Sequence, residues 1–320
     1  MITKVTIKNF KSILDASATL SPFTLLIGAN GSGKSNFLEL LKEYSNGIKQ
    51  RRFQIPKHSN HHSSVQLFEF ENDKGITVSS DAREHLTIKM RESVMEELQD
   101  KIRKSFTELQ NVSVYNINPA NAGKKEPLIQ GPIVQMDGSG VVQVLDSLKT
   151  GDREDLFDTI ESKLSQFVPE IEKLSFFPGS QVKQLQVRER HISQPIPVSQ
   201  LSDGTRLVLI ILTILFQERK PSLICIEEID RGLHPRLFGQ IIELYFDLSK
   251  NENLPQIIAT THNPYLVDQF KDNESAVVIV EKEDGNTTFT TLEEKLNQLG
   301  PEEDPLGELW YSGFVGGVPK

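Results

Sequence analysis

The sequence is poor in cysteine, in long apolar runs and in positive charge, and each shortage excludes a class of protein. Cys225 is the only cysteine among 320 residues, so no disulfide can form within the chain, and a reducing compartment fits. The formal net charge of −9 argues against a protein that coats nucleic acid regardless of sequence. The longest apolar stretch, residues 207–216, is far shorter than the roughly 20 residues that cross a bilayer. We expect a cytoplasmic protein with no membrane segment, in which this stretch forms a buried helix.

From residue 198 onward, segments with strand and helix patterns alternate. The patterns predict a helix at 202–219, a strand at 222–227, a helix at 235–250, and strands at 255–260 and 276–281. Earlier residues predict strands at 2–8, 23–28, 65–70 and 85–90, helices at 92–110 and 152–173, and loops at 46–64 and 116–140. Alternating strands and helices indicate an α/β fold with a mostly parallel sheet flanked by helices.

A complete phosphate-binding loop follows the strand predicted at 23–28. Residues 28–35 read GANGSGKS, which matches the pattern GxxxxGK(S/T) in full. The glycines allow the backbone to curl until successive N–H groups point at the phosphates. Lys34 places a positive charge between the β- and γ-phosphates, and the Ser35 hydroxyl can bind Mg²⁺. The pattern predicts an ATP site, and the alternative is a tight glycine turn with an exposed lysine.

Two carboxylates end the apolar strand predicted at 222–227. Glu227 and Glu228 follow each other there, and paired acids at a strand end can divide two roles. Glu227 would face hydrated Mg²⁺, while Glu228 would polarise the attacking water. An acidic surface turn is the alternative, and the phosphate-binding loop makes it the weaker one.

Two further polar motifs flank these acids in the sequence. Residues 201–205 read LSDGT at the start of the apolar helix, where Ser202 and Gly204 offer a second anion site. A plain helix cap is the alternative there. His262 follows the strand predicted at 255–260 and is placed to contact a γ-phosphate, although a single loop histidine often has no such role.

Taken in order, these four motifs resemble the ATPase head of ABC-type proteins, in the soluble branch that includes RecF, SMC heads and OLD-like ATPases. Residues 9–12 (NFKS) are similar to a segment near the start of that branch, and residues 228–235 (EIDRGLHP) to the run around its acidic pair. The resemblance covers residues 1–45 and 195–281. It implies an ABC-type P-loop ATPase head with an inserted α/β lobe between the phosphate-binding loop and the signature.

The resemblance also implies a role for each matched position. Glu228 would be the general base and His262 the γ-phosphate switch, while Ser35 and Glu227 would hold Mg²⁺. The signature would cap ATP held by a second copy, with Asp230 in a loop that crosses the interface, so the resemblance implies a head-to-tail homodimer. The nucleotide-binding positions would be Lys11, Gly28, Asn30, Gly31, Gly33, Lys34, Ser35, Ser202 and Gly204.

This chain departs from the family pattern in three places. Glu227 stands where aspartate is more common, which would loosen the metal geometry. Asp203 and Thr205 replace the glycine and glutamine of the LSGGQ consensus, and the extra carboxylate would slow turnover. The glutamine that usually links the nucleotide to the inserted lobe is not fixed, and Gln66 and Gln135 are the candidates.

We predict a nucleotide-binding core at 1–45 and 195–290, an inserted lobe at 46–194 and a C-terminal tail at 291–320. Residues 301–320 are rich in proline and glycine, yet they carry Trp310 and five other large apolar side chains. Such side chains in an irregular terminal segment are typical of interface anchors. We expect the tail to dock a partner or a second copy and not to serve the ATP site. The alternative is a tail folded over its own core.

These features predict a nucleotide switch, in which ATP closes two heads and hydrolysis opens them. The family resemblance favours a DNA-maintenance or phage-defence system with a separate effector protein, for example a nuclease. The alternatives are a scaffold that binds ATP without hydrolysing it, and a transporter ATPase. Residues 277–284 faintly resemble the start of a toprim nuclease, but a last sheet strand with a hairpin turn at 284–286 explains them better.

Two polar clusters allow further hypotheses. His58, His61 and His62 could bind zinc, but without a nearby cysteine a solvated loop is the simpler interpretation. Basic side chains could contact DNA phosphates, which leaves DNA as a candidate partner despite the acidic chain; they are Lys49, Arg51, Arg52 and Lys57.

Overall fold

The computed structural model describes residues 1–50, 64–70, 74–80, 86–90, 109–127, 129–177, 182–249, 254–300 and 304–319. Contacts between Cα atoms divide the chain into two compact units. The first unit comprises residues 1–114, 222–228 and 256–320, and the second comprises residues 115–221 and 229–255.

The helices and strands have the following bounds. The strands are β1 (Ile2–Phe10), β2 (Ile13–Thr19), β3 (Phe23–Ile27), β4 (Ser64–Phe70), β5 (Lys74–Ser80), β6 (Leu86–Met90), β7 (Val112–Tyr115), β8 (Glu126–Pro127), β9 (Ile171–Phe176), β10 (Val182–Lys183), β11 (Leu185–Glu189), β12 (Ile196–Pro197), β13 (Leu223–Ile226), β14 (Gln256–Thr260), β15 (Val277–Glu283) and β16 (Asn286–Thr291). The α-helices are α1 (Lys34–Gln50), α2 (Val141–Thr150), α3 (Glu154–Phe167), α4 (Asp203–Phe216), α5 (Pro235–Ser249), α6 (Pro264–Val267), α7 (Leu292–Leu299) and α8 (Leu306–Tyr311).

The first unit is built on a sheet with the strand order β16-β15-β3-β14-β13-β7. Strands β15, β3, β14 and β13 are parallel neighbours, and β16 returns antiparallel to β15. Every residue of β3, β13 and β14 is buried, which is why these strands are continuous apolar runs in the sequence. The predicted α/β fold with a mostly parallel sheet is confirmed.

A second, antiparallel sheet of the first unit has the order β2-β1-β4-β5-β6. Strands β4 and β6 agree with the predictions at 65–70 and 85–90, whereas β2 and β5 were not predicted. This sheet joins residues 64–90 to β1. The grouping therefore differs from the predicted domains, which placed residues 64–90 in an inserted lobe.

The second unit contains helices α2 to α5 and a small antiparallel sheet of the order β12-β11-β9. Residues 207–216 of α4 are all buried, as predicted. The predicted helix at 152–173 is wrong beyond Phe167, because the chain turns there into β9. None of the helices in the described ranges has the length and apolar character that a membrane crossing needs.

The C-terminal region of the first unit begins with the hairpin of β15 and β16. Asp284 and Gly285 form its two-residue turn with φ of 49° and 82°, and Asn286 already pairs with Glu283. The hairpin turn predicted at 284–286 is therefore confirmed, one residue shorter. In the tail, Leu309, Trp310 and Val315 are buried. The tail therefore folds over its own core, which is the alternative stated in the sequence analysis.

Two predicted elements differ in their bounds or lie mostly outside the described residues. The predicted loop at 46–64 begins too early, since α1 runs to residue 50. The predicted helix at 92–110 is described only at 109–110.

Candidate nucleotide-binding site

The phosphate-binding loop connects β3 to α1, and its glycines are there for steric reasons. Gly28 and Gly33 have φ of 151° and 116°, which side chains rarely tolerate. A Cβ on Gly28 would lie 2.2 Å from the carbonyl oxygen of Val280, and a Cβ on Gly33 would lie 2.4 Å from Oγ1 of Thr287. The loop is therefore packed closely against the β15–β16 hairpin, and only glycine fits at these two positions.

Lys34 lies inside the loop and not on its surface. Its ammonium group donates hydrogen bonds to the carbonyl oxygens of Gly28 at 2.7 Å and Ala29 at 3.0 Å, and the residue is only 6% exposed. Burial lowers the pKa of Lys34 to about 8, although the nearby Glu228 carboxylate acts in the opposite direction. The alternative of an exposed lysine on a simple turn is therefore wrong. Lys34 carries a partly desolvated positive charge, and backbone carbonyls hold it in place.

The polar atoms around Lys34 fit a bound phosphate. The Ser32 hydroxyl is buried and has no hydrogen-bond partner within the described part of the chain. An anion in the loop would give this hydroxyl and the Lys34 ammonium a common partner. Asn30 and Gly31, at the tip of the loop, are exposed. The charge of Lys34 and the unpaired Ser32 hydroxyl therefore make the loop a candidate site for phosphate.

The predicted magnesium ligands are a hydroxyl and a carboxylate. Ser35 is exposed at the start of α1, and Glu227 is half-buried after β13. Within the described ranges, no group of three or more His, Cys, Asp and Glu side chains could hold a metal ion. A Mg²⁺ ion here would need phosphate and water oxygens in addition to these two residues, which is its usual habit at phosphate sites.

Glu228, the predicted general base, has a strained backbone. Its φ is 48°, a left-handed conformation that a residue with a side chain adopts at a cost of about 1–3 kcal/mol. Its N–H donates a 2.9 Å hydrogen bond to the Thr260 hydroxyl at the end of β14. This bond across neighbouring strands fixes the backbone of Glu228, while its side chain remains exposed. No local motif indicates the contribution of Thr260.

His262 lies two residues beyond β14, between two local hydrogen bonds. The Thr261 hydroxyl accepts from the Asn263 N–H at 3.0 Å, and the Asn263 side chain accepts from the Tyr265 N–H at 3.1 Å, which caps α6. His262 itself is exposed. The short loop is thereby held in one conformation with the imidazole at its surface.

Lys11 lies at the turn between β1 and β2 and has a φ of 48°. Its ammonium forms an ion pair with Glu39 of α1, the helix that begins at Lys34. The neighbouring Ser12 hydroxyl accepts a 2.8 Å hydrogen bond from the Asn36 side chain. The turn is thus attached to the helix that follows the phosphate-binding loop, and contact of Lys11 with a nucleotide stays a prediction.

The predicted signature belongs to the second unit. Ser202 caps α4, since its hydroxyl accepts from the Thr205 N–H at 3.2 Å. Asp203 forms an ion pair with Arg206, so its negative charge is partly compensated. A Cβ on Gly204 would lie 2.9 Å from the carbonyl oxygen of Gly232. The start of α4 and the turn at 229–234 therefore pack together, with Ser202 exposed.

The tail, which we expected not to serve the ATP site, borders the phosphate-binding loop. One cavity, of about 300 Å³, is lined by residues 29–32, 280–283 and 317–319. A second cavity, of about 220 Å³, is lined by residues 28–30 and 317–319 together with His262, Pro264, Trp310 and Tyr311. A Cβ on Gly317 would lie 3.6 Å from the Cα of Gly28.

The remaining sequence candidates add little to the site. The Gln135 side chain donates to the Ile133 carbonyl in an exposed loop of the second unit, and the side chain of Gln66 lies outside the described residues. The histidines at 58, 61 and 62 and the basic side chains at 49, 51, 52 and 57 also lie outside them.

Comparisons with known proteins agree with the motifs. Residues 1–121 match the family described as "AAA ATPase domain", and residues 143–268 match the family described as "AAA domain, putative AbiEii toxin, Type IV TA system". Over 84 residues the chain is 36% identical to the DNA replication and repair protein RecF of Enterobacter sp. (strain 638) and 37% identical to that of Cronobacter sakazakii. Each match covers 24% of this chain and 24% of the relative, so the chain spans only that part of RecF.

Solved structures of SMC heads have the same fold. An SMC head bound to the C-winged helix domain of ScpA has a TM-score of 0.61 and 15% identity, and the match covers 92% of this chain and 99% of that one. The SMC head domain from Thermotoga maritima has a TM-score of 0.54 and 15% identity, with 91% and 98% covered. The chain therefore has the fold of these SMC heads, and two separate stretches of it match models of AAA domains.

Three parallel strands bring the predicted nucleotide-binding motifs together. The phosphate-binding loop follows β3, the acidic pair follows β13, and His262 follows β14. Because neighbouring parallel strands end at the same edge of a sheet, ligands of open α/β sheets bind at this edge. The first unit therefore assembles the binding loop, the acids and the histidine at one site.

Proposed function

We propose that this ATPase head binds ATP with Mg²⁺ and hydrolyses it between two copies of the chain, as a nucleotide switch. The observation that carries the proposal is the placement of Lys34. Its charge lies within the phosphate-binding loop, close enough to Glu228 for that carboxylate to raise the lysine pKa against the effect of burial. A phosphate-binding cation and a carboxylate able to accept a proton from water are therefore near each other.

The roles of the residues follow from their positions. The loop N–H groups and the Lys34 ammonium would bind the phosphate oxygens, with the positive end of the α1 dipole behind them. Ser35 and Glu227 would hold Mg²⁺, which when bound neutralises charge on the phosphates. Glu228 would orient a water molecule and accept its proton, and its fixed backbone limits where the carboxylate can go. His262 would donate to the γ-phosphate from the end of β14.

We include a second copy of the chain in the proposal because the predicted signature would bind the phosphate of ATP that another copy holds. Ser202 and Asp203 are exposed at the start of α4, and a helix start is a site where anions bind. Gly204 packs against the turn around Gly232. The start of α4 and the turn at 229–234 would therefore both contact a second copy of the chain. In a head-to-tail dimer, this surface would cap the ATP bound by the first unit of the partner.

The biological process is proposed from family likeness. RecF is a DNA replication and repair protein. The description of one matching family names a toxin of a toxin–antitoxin system. We propose a role in DNA maintenance or phage defence with a separate effector, for which a nuclease and DNA are candidate partners. A scaffold that binds ATP without hydrolysis is the second candidate, since Asp203 adds a carboxylate at the signature.

The test uses Glu228→Gln beside the wild-type protein. The amide keeps the shape of the side chain but accepts no proton, so the variant is expected to bind ATP, release phosphate at least about a hundredfold more slowly, and accumulate as a dimer. Phosphate release and light scattering with ATP measure both effects. Wild-type protein that binds ATP but releases no phosphate would support the scaffold instead, and a variant with the wild-type rate would remove Glu228 from the reaction.

A further inference from the structure

Thr287 on β16 contacts the phosphate-binding loop, although it lies 255 residues beyond Ser32 in the sequence. The residue is completely buried. Its hydroxyl donates a 2.8 Å hydrogen bond to the carbonyl oxygen of Ser32 and lies 2.8 Å from the hydroxyl of Ser12. Its backbone N–H donates to the Ser12 carbonyl, also at 2.8 Å. Thr287 thus connects the loop to the β1–β2 turn.

Donor and acceptor can be assigned for each hydrogen bond in the chain that links Asn36, Ser12, Thr287 and Ser32. The Asn36 amide can only donate to the Ser12 hydroxyl, and the Ser32 carbonyl can only accept. The Ser12 hydroxyl must therefore donate to Thr287, whose own proton goes to Ser32. Both ends of this chain, Asn36 and Ser32, flank Lys34 in the sequence. The network consequently holds the loop and the first turn of α1 in one geometry.

The bond to the Ser32 carbonyl also sets the direction of an N–H group. In a planar trans peptide the C=O and N–H bonds point to opposite sides. With the Ser32 oxygen held by Thr287, the Gly33 N–H points away from Thr287. The Thr287 side chain fills the space beside Gly33, where a Cβ would lie 2.4 Å from its oxygen.

We propose that Thr287 is a positioning residue for nucleotide binding, which orients the Ser32–Gly33 peptide toward the phosphates of a nucleoside triphosphate. The inference rests on the proposed ATP site and adds to it a residue that has no phosphate-binding motif around it. Because the peptide is fixed before binding, the loop loses little conformational freedom when phosphate arrives. Removal of the hydroxyl frees this peptide and leaves two polar groups without their partner.

The experiment compares three variants of the full chain by titration with ATP and Mg²⁺. Thr287→Val keeps the shape but lacks the hydroxyl, and Thr287→Ser keeps the hydroxyl but lacks the methyl group. Thr24→Val is the matched control, because Thr24 is also completely buried and its hydroxyl bonds only to backbone atoms of Ser21. We expect Thr287→Val to bind ATP about tenfold more weakly, while Thr287→Ser and Thr24→Val stay within about twofold of wild type.

Three results from the variants, and one from the wild-type protein, would overturn the inference. Wild-type affinity in a folded Thr287→Val protein, or an equal loss in Thr24→Val, would make Thr287 a structural residue only; an equal loss in Thr287→Ser would assign the effect to packing. If Thr287→Val fails to fold, Thr287→Ala against Thr287→Ser repeats the comparison of the hydroxyl. Wild-type protein without affinity for ATP would instead overturn the proposed function and this inference with it.

Discussion

The low pKa of Lys34 makes nucleotide affinity depend on pH in a range where phosphates no longer titrate. Only the protonated lysine attracts the phosphates, and its pKa in the free protein is about 8. The second pKa of a phosphate monoester is about 6, so ATP gains little charge above pH 7. We expect nearly constant affinity around pH 7 and a loss above pH 8, of up to about tenfold for each pH unit, or about 1.4 kcal/mol.

The protonated fraction of Lys34 gives the size of this effect. For a pKa of about 8, it falls from about nine-tenths at pH 7 to about one-tenth at pH 9, so ATP should bind about tenfold more weakly at pH 9. Calorimetric titration of ATP at constant ionic strength over this range measures the slope. The control is Lys34→Arg, whose guanidinium stays protonated throughout. Equal slopes in both proteins, or no slope in the wild type, would refute this account of Lys34.

The same pKa shift predicts a change in stability without nucleotide. Because burial lowers the pKa of Lys34 below its unfolded value of 10.5, the unfolded chain holds this proton more tightly between about pH 8 and pH 10.5. The free energy of unfolding should therefore rise with pH across this window, by up to about 3 kcal/mol relative to Lys34→Met. Urea unfolding at several pH values tests the sign, and a fall in the difference would contradict it.

Three further predictions concern the loop, the dimer and the tail. Gly28→Ala should lose about 2–4 kcal/mol of stability, because its Cβ clashes with Val280. Gly31→Ala should lose only about 1 kcal/mol, because its Cβ meets nothing within 4 Å. Equal losses of the two variants in thermal unfolding would contradict the packing. Mixed Lys34→Ala and Ser202→Arg proteins should recover part of the phosphate release that each lacks alone, and mixed dimers without activity would contradict the head-to-tail site. A chain ending at Leu299 should melt several degrees lower and bind ATP more weakly. The reason is that it lacks the buried Trp310 and the segment that packs against Gly28. Unchanged melting temperature and ATP affinity would contradict this and leave the tail free to dock a partner.

The sequence was sufficient where a motif is local. Residues 28–35 specify their loop because the glycines, the lysine and the serine act within eight positions. The buried parallel strands were predicted for the same reason, since burial on both faces makes them apolar throughout. In β2, by contrast, the polar and small residues of ILDASAT give no strand signal. Its pairing with β1 creates the strand, so tertiary contact overrides the weak local preference.

Residues that act through distant partners could not be predicted. Thr260 and Thr287 are single threonines in ordinary strands, and their hydroxyls matter because of Glu228 and Ser32, which lie far away in the sequence. The burial of Lys34 was missed for a similar reason, since a lysine in a glycine-rich loop suggests exposure. The division of the chain also depends on strand pairing, because β4 joins β1 across a long stretch of sequence.

Backbone strain in the described chain is concentrated around the nucleotide site. Apart from glycines, a positive φ occurs there only at Asn9, Lys11, Glu228 and Asp284. Asn9 lies near the end of β1, and Lys11 lies beside Ser12 in the β1–β2 turn. Glu228 is the predicted base, and Asp284 lies in the turn of the hairpin that carries Thr287. Such strain persists only where surrounding contacts enforce it. Here those contacts include the hydrogen bonds of Ser12, Thr260 and Thr287. Ser12 and Thr287 support the phosphate-binding loop, and Thr260 supports the backbone of Glu228.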